Sequence, residues 1–177
     1  MTMTVKEAMR DYFDRLLAKC REQGQELPRF SFEQDFEPWI YASAPDESGW
    51  AAWRPLEKTE RHDLSAMAPE LSPFHASIEA YFNSFWFCAL EGGLDTFGLS
   101  LEAVTPGLEP ELFLANARGY AGAHGGRLRH VPIGVEFNGL QVVVDNETGA
   151  VAIEDWERGT FQEIASSLSE LIHELKV

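Results

Sequence analysis

Cysteine is scarce in this chain. Cys20 and Cys88 are the only two in 177 residues, and they lie too far apart in sequence to suggest a disulfide framework. Long apolar runs are missing too: no stretch reaches the roughly 18 residues that a membrane-spanning helix requires. The opening Met1-Thr2-Met3-Thr4-Val5-Lys6-Glu7 lacks the apolar centre and small-residue cleavage site of a secretory signal. Together these absences make a soluble, cytoplasmic protein the expectation. Positive charge is also in short supply, with 14 Lys and Arg against 29 Asp and Glu and a formal charge of −15. Such a surface repels nucleic-acid backbones and anionic lipid headgroups and attracts basic segments.

The shortage is uneven. From Phe30 to Trp53 there is no Lys, Arg or His, while Glu33, Asp35, Glu37, Asp46 and Glu47 fall inside that window. From Val131 to Glu157 there is again no basic residue, against Glu136, Asp145, Glu147, Glu154, Asp155 and Glu157. Positive charge gathers between Lys6 and Arg29 and in Arg118, Arg127, Arg129 and His130. The two unbalanced stretches are expected to fold into one negative surface that accepts a basic partner.

The patterns that carry chemistry are mostly absent. His62, His75, His124, His130 and His173 are scattered, with no CxxC and no HExxH, so no metal site is expected. Gly119 to Gly126 is glycine-rich but lacks the GK[ST] ending of a phosphate-cradling loop and reads as a flexible connection. No GxSxG elbow occurs, and Cys20 sits on an apolar stripe where a thiol is buried and inert. Carboxylates are so plentiful that naming any pair as a glycosidase dyad has no geometric basis. The aromatic set Tyr81, Phe82, Phe85, Trp86 and Phe87 reads as core and not as a base-stacking platform, given its helical spacing and the net charge. A non-enzymatic binding protein without cofactor is the expectation.

What the chain does have is core-forming material. Hydrophobic residues make up 45%, including 12 Phe and 5 Trp, which excludes disorder at this length. Thr4 and Glu7 have capping-box spacing ahead of a stripe of Val5, Met9, Tyr12, Phe13, Leu16, Leu17 and Cys20, with Gly24 as a stop. Leu27 to Pro38 reads as loop, followed by a hairpin of Trp39–Ser43 and Trp50–Arg54. A helix is expected from Ser72-Pro73 to Gly92-Gly93 with Phe74, Ile78, Tyr81, Phe82, Phe85, Trp86 and Ala89 on one face. Alternation at Phe97, Leu99, Leu101 and Ala103 predicts a strand, and Pro110 to about Ala121 a helix. Val131–Phe137 and Leu140–Asp145 flank Asn138-Gly139, a strong hairpin signal, and a third strand follows at Ala150–Glu154. A second capping box, Thr160 with Glu163, predicts a closing helix with Phe161, Ile164, Ala165, Leu168, Leu171, Ile172 and Leu175 facing inward. This order predicts one α+β domain, residues 1–177, with a mixed or antiparallel sheet and helices packed around it.

Several segments, taken in order, resemble the Syd family of SecY-interacting proteins, a branch of the SUKH superfamily. They are Trp50-Ala51-Ala52-Trp53-Arg54-Pro55, the aromatic run from Ile78 to Trp86, Asn116 to Gly119, Val142 to Val151 with its Asp145-Asn146-Glu147-Thr148-Gly149 turn, and Leu168 to Leu171. The family pattern has a Trp and two acidic residues before the helix carrying Asn116, whereas Ala103 to Glu111 contains no Trp. The resemblance implies a SUKH-like fold and a protein peripheral to the cytoplasmic side of the inner membrane. It also implies docking on basic cytosolic loops of the translocon subunit SecY through a negative concave surface, so as to hold unassembled SecY or restrain abnormal translocase. Membrane association would then run through that protein partner alone. The alternative within the superfamily is an immunity protein that neutralises a toxin. The resemblance supplies no binding-residue set, so the candidate partner-binding residues rest on charge placement: Glu33, Asp35, Glu37, Asp46, Glu47, Asp145, Glu147, Glu154 and Asp155. Purified protein is expected to carry neither stoichiometric metal nor nucleotide. Elemental analysis, and absorbance of the supernatant after denaturation, check this; stoichiometric zinc or released nucleotide would overturn it.

Overall fold

A computed structural model describes residues 2–177. The first element is α1 (Val5–Glu22), and its capping box forms as expected: Thr4 Oγ1 accepts from the Glu7 N–H at 3.2 Å and Glu7 Oε2 from the Thr4 N–H at 2.8 Å. Gly24 follows at φ 78° and turns the chain away. The inward stripe buries Val5, Ala8, Met9, Tyr12, Phe13 and Cys20.

The next segment differs from expectation. The strand β1 (Arg29–Ser31) lies inside the predicted loop and pairs antiparallel with β2 (Trp50–Ala52), Phe30 opposite Ala51. Trp39 instead enters a single 3-10 turn opened by Pro38, and only the bridge between Tyr41 and Trp53 remains of the expected hairpin. Pro38 stands at the start of the turn, where its fixed φ presets a helical conformation. After β3 (Leu56–Glu57) and the short α2 (Leu64–Met67), the expected long aromatic helix is cut to α3 (Ala76–Phe82). Asn83 ends it. Its Nδ2 donates to Glu79 O and His62 O, both at 2.9 Å, and Ser84 Oγ donates to Ala80 O, so side chains take the carbonyls that another turn would need. Phe85, Trp86, Phe87 and Cys88 are buried in succession, which an amphipathic helix cannot arrange. Phe85–Trp86 form β4, paired with β3, and Gly92-Gly93 lie within β5 (Leu90–Leu94) instead of ending a helix.

The main sheet is antiparallel throughout, in the order β10-β9-β8-β7-β6-β5. It comprises β5, β6 (Phe97–Leu101), β7 (His130–Glu136), β8 (Gln141–Asp145), β9 (Val151–Asp155) and β10 (Thr160–Ala165). The α4 helix (Glu111–Ala123) packs against β7. The Asn138-Gly139 hairpin forms, with Gly139 at φ 92°. Val142, Val143 and Val144 are all buried, the mark of a strand covered on both faces. A bulge between Pro132 and Gly134 tolerates the missing Pro132 donor, and a side chain at Gly134 would overlap the β6 backbone at Ser100.

The closing helix starts later than expected. Thr160–Glu163 belong to β10, which pairs with β9, and the cap that forms is Ser167 with Glu170. Ser167 Oγ accepts from the Glu170 N–H at 3.1 Å, and α5 runs Leu168–Glu174. Lys176 then exchanges two 2.9 Å backbone hydrogen bonds with Gly93 along the outer edge of β5. The outcome is an α+β fold built on one hydrophobic cluster that extends from Val5 to Leu175.

The two small sheets join the main sheet through aromatic rings. Phe13 packs on Trp53 at 6.4 Å, on Phe85 at 5.4 Å and on Phe87 at 5.2 Å between ring centroids, and is itself 2% exposed. Phe13→Ala is expected to cost about 3–5 kcal/mol, read as a lowered midpoint of urea unfolding.

Candidate functional site

The first acidic stretch is a loop clasped by aromatic rings. Phe30 stacks on Phe36, Phe36 on Tyr41, and Phe32 lies against Tyr41. Tyr41 Oη donates to Ser31 O at 3.1 Å and accepts from the Glu33 N–H at 3.0 Å. Glu37 N–H donates to Pro106 O at 2.8 Å, and Gly107, at φ 100°, has no room for a side chain because the Asp35 carbonyl presses on it. The backbone is thereby held while Glu33, Asp35, Glu37 and Glu47 remain exposed. Among the described residues none of these four carboxylates has a basic partner within 4 Å. Exposed aromatics border them: Phe32 at 37%, Trp39 at 50% and Trp50 at 47%.

Asp46 behaves differently. Its carboxylate caps the turn by accepting from the Trp50 and Ser48 N–H groups at 3.1 and 2.8 Å, and it pairs with Arg29, one residue before the base-free window. These bonds, that from the Trp50 N–H foremost, hold its carboxyl below the usual range.

The second stretch is largely compensated. Asp145 Oδ1 accepts from the Thr148 and Glu147 N–H groups at 2.8 and 2.9 Å, with His130 Nε2 3.9 Å from its other oxygen. Burial works against its charge, yet those N–H groups outweigh it and keep the carboxyl below the usual range. Asp155 lies 3.5 Å from Arg158, and Glu147 and Glu157 are exposed without a basic partner among the described residues. Glu154 is not on the surface. It is 4% exposed, with Oε2 accepting from Tyr120 Oη and Oε1 facing His124 Nε2, both at 2.6 Å. The expectation of nine free, outward carboxylates is therefore corrected: four have a basic neighbour supplied from outside their own window or, for Arg158, just past its end. The two stretches also belong to different sheets, and no hydrogen bond or ion pair among the described residues joins them.

Around Glu154 lies a feature that sequence reasoning missed. A cleft of about 480 Å³ is lined by Tyr120, His124, Gly125, Arg127, Arg129, His130, Trp156 and Phe161. The glycine-rich segment is not a flexible connection: Gly119 and Gly122 are inside α4, and Gly125 and Gly126, at φ 79° and 81°, reverse the chain into β7. The available signal was the clustering of Arg127, Arg129 and His130 in an acidic chain, next to Trp156 and Phe161 at a strand turn. A scan against protein-family models finds no match to this chain, and a search of curated proteins finds no matching sequence.

Buried charge elsewhere forms a second cluster. Lys58 Nζ donates to Phe82 O at 2.9 Å and sits 3.7 Å from the centre of the Trp86 ring, and burial pushes its pKa down to about 8. Burial, aided by Glu102 and Glu111, pushes Glu109 up to about 7 against the Phe113 N–H that donates to it at 2.9 Å. Neither side chain lines the cleft. Because Glu109 holds its proton to higher pH when folded than when unfolded, its contribution to stability is lost as pH rises from about 4.5 to about 7. Glu109→Gln is expected to flatten that slope, leaving stability nearly unchanged at pH 4 and raising it by about 3 kcal/mol at pH 8. Urea unfolding at the two pH values checks this, and Lys58 stays largely protonated across most of that interval.

Proposed function

We propose that this chain is a non-catalytic docking domain whose acidic, aromatic-studded loop from Phe30 to Trp50 takes a basic segment of a partner protein. The observation that carries it is the set Glu33, Asp35, Glu37 and Glu47, exposed and unpaired among the described residues, beside Phe32, Trp39 and Trp50. Lysine and arginine pair with carboxylates and also stack on aromatic faces, so this combination suits a basic peptide. A loop whose backbone is already held by Tyr41 and Pro106 loses little freedom on binding.

With the Syd resemblance, the partner is SecY, whose cytosolic loops are basic by the positive-inside rule. No helix of the described residues is long and apolar enough to cross a membrane, which fits attachment through a receptor at the cytoplasmic face of the inner membrane. The role would be to hold excess SecY or restrain the translocase. The immunity-protein reading shares the acidic surface and differs only in the partner.

Exposed charges are screened over about 8 Å at physiological ionic strength, so affinity for detergent-solubilised SecY is expected to fall steeply as salt rises. Combined Glu33→Lys, Asp35→Lys and Glu37→Lys should slow association while changing stability by only about 0.5 kcal/mol per site. A titration with SecY and a pull-down from native lysate test this together. Salt-sensitive recovery of SecY supports the reading. Recovery of a toxin domain with no affinity for SecY hands the case to the immunity protein.

A further inference from the structure

We propose that the cleft between the end of α4 and the β9–β10 turn binds a small planar anion, an aromatic ring carrying a phosphate or carboxylate. Its walls are aromatic. The Tyr120 and His124 rings stack at 3.8 Å, Trp156 meets His124 edge-on at 4.5 Å, and His130 stacks on Phe161 at 4.1 Å. Trp156 and Phe161 are 60% and 44% exposed, a large apolar area to leave in water without a ligand. The cleft's volume falls within the roughly 300–1,000 Å³ of small-molecule sites.

The charge of the lining decides the class of ligand. Arg127 and Arg129 both line the cleft and are exposed, and neither makes an ion pair among the described residues, in a chain where carboxylates outnumber cations about two to one. No acidic side chain is among the lining residues. Glu154 sits behind the wall with both oxygens engaged by Tyr120 and His124. His124 sets Nδ1 2.8 Å from Tyr120 O and Nε2 against Glu154 Oε1, so both ring nitrogens are engaged within the wall. An aromatic cage for a cation would need the opposite polarity. Paired guanidinium groups fit phosphate or carboxylate oxygens, and the rings take a planar body by stacking. Two of the C-terminal carbonyls of α4 that would repel an anion are covered, Tyr120 O by His124 and Ala121 O by the Gly126 N–H at 2.7 Å. A reversible ligand of this kind is distinct from a resident nucleotide held by a phosphate loop, which the sequence lacks.

The test titrates the full chain with adenosine 5′-monophosphate and, separately, indole-3-acetate, using adenosine and indole as uncharged counterparts. Saturable one-to-one binding of at least one anion is expected below about 1 mM, with shifts at the Trp156 indole N–H and the His130 ring in NMR spectra. The uncharged counterpart should bind at least about tenfold more weakly, as should the anion to Arg127→Glu/Arg129→Glu or to Trp156→Ala. Preference for one probe identifies phosphate or carboxylate as the anionic group. The proposal is overturned if neither anion saturates, if the uncharged counterpart binds equally well, or if folded variants bind undiminished. SecY affinity should be unchanged in the arginine variant, so this inference and the docking reading fail separately.

Discussion

The packing of Phe13 against rings beside β2, in β4 and ahead of β5 is the contact on which the other elements depend. Trp53 follows β2, Phe85 opens β4, and Phe87 leads into β5. The small β1–β2 and β3–β4 ladders have too few hydrogen bonds to persist alone. Their stability is borrowed from the side α1 presents to them. That is why a helix at the start of the chain governs the acidic loop: β1 and β2 flank it, and their position follows from where Trp53 and Phe13 meet.

Around this core the protein sorts its charge by burial. Carboxylates that enter the interior or the rim of the sheet find donors, as Glu154 does in Tyr120 and His124, and Glu136 in the Asn138 N–H at 2.7 Å. Those left in water cluster on a loop whose backbone is fixed by Tyr41 and by the Pro106–Gly107 turn. Arg127 and Arg129, without an ion-pair partner among the described residues, stand instead at the cleft. The molecule therefore presents two surfaces of opposite charge, on different sheets and assembled by different elements.

How much of this could be read from the sequence depended on how local each signal was. The Thr4–Glu7 cap and its stripe are complete within one helix, and Asn138-Gly139 is complete within one turn, so both were legible. The run from Phe85 to Cys88 is apolar on every side, and periodicity alone cannot separate helix from strand there; Asn83, bonded to His62 far back in the chain, decides it. Two Ser/Thr-x-x-Glu signatures stand near the end, and β9 claims the first by pairing Thr160 with Asp155. Base-free windows misled for the same reason, since Arg29, His124 and His130 reach the carboxylates through the fold. The cleft was illegible because its lining comes from a helix end, a reversal, β7 and the β9–β10 turn.

The two borders of the main sheet are finished unequally. At β5 the backbone of Gly93 is bonded in both directions to Lys176, and Gly92 has no space for a side chain because Lys176 O lies against it. At β10 the outer residues Thr160, Phe161, Gln162 and Glu163 face solvent, protected by a bulge before Ala165 and by a carboxylate. The last residues thus act as a selvedge that keeps one margin from fraying into a template for other chains. Trimming them would give the sheet two open margins in place of one, and self-association is the hazard that open margins carry.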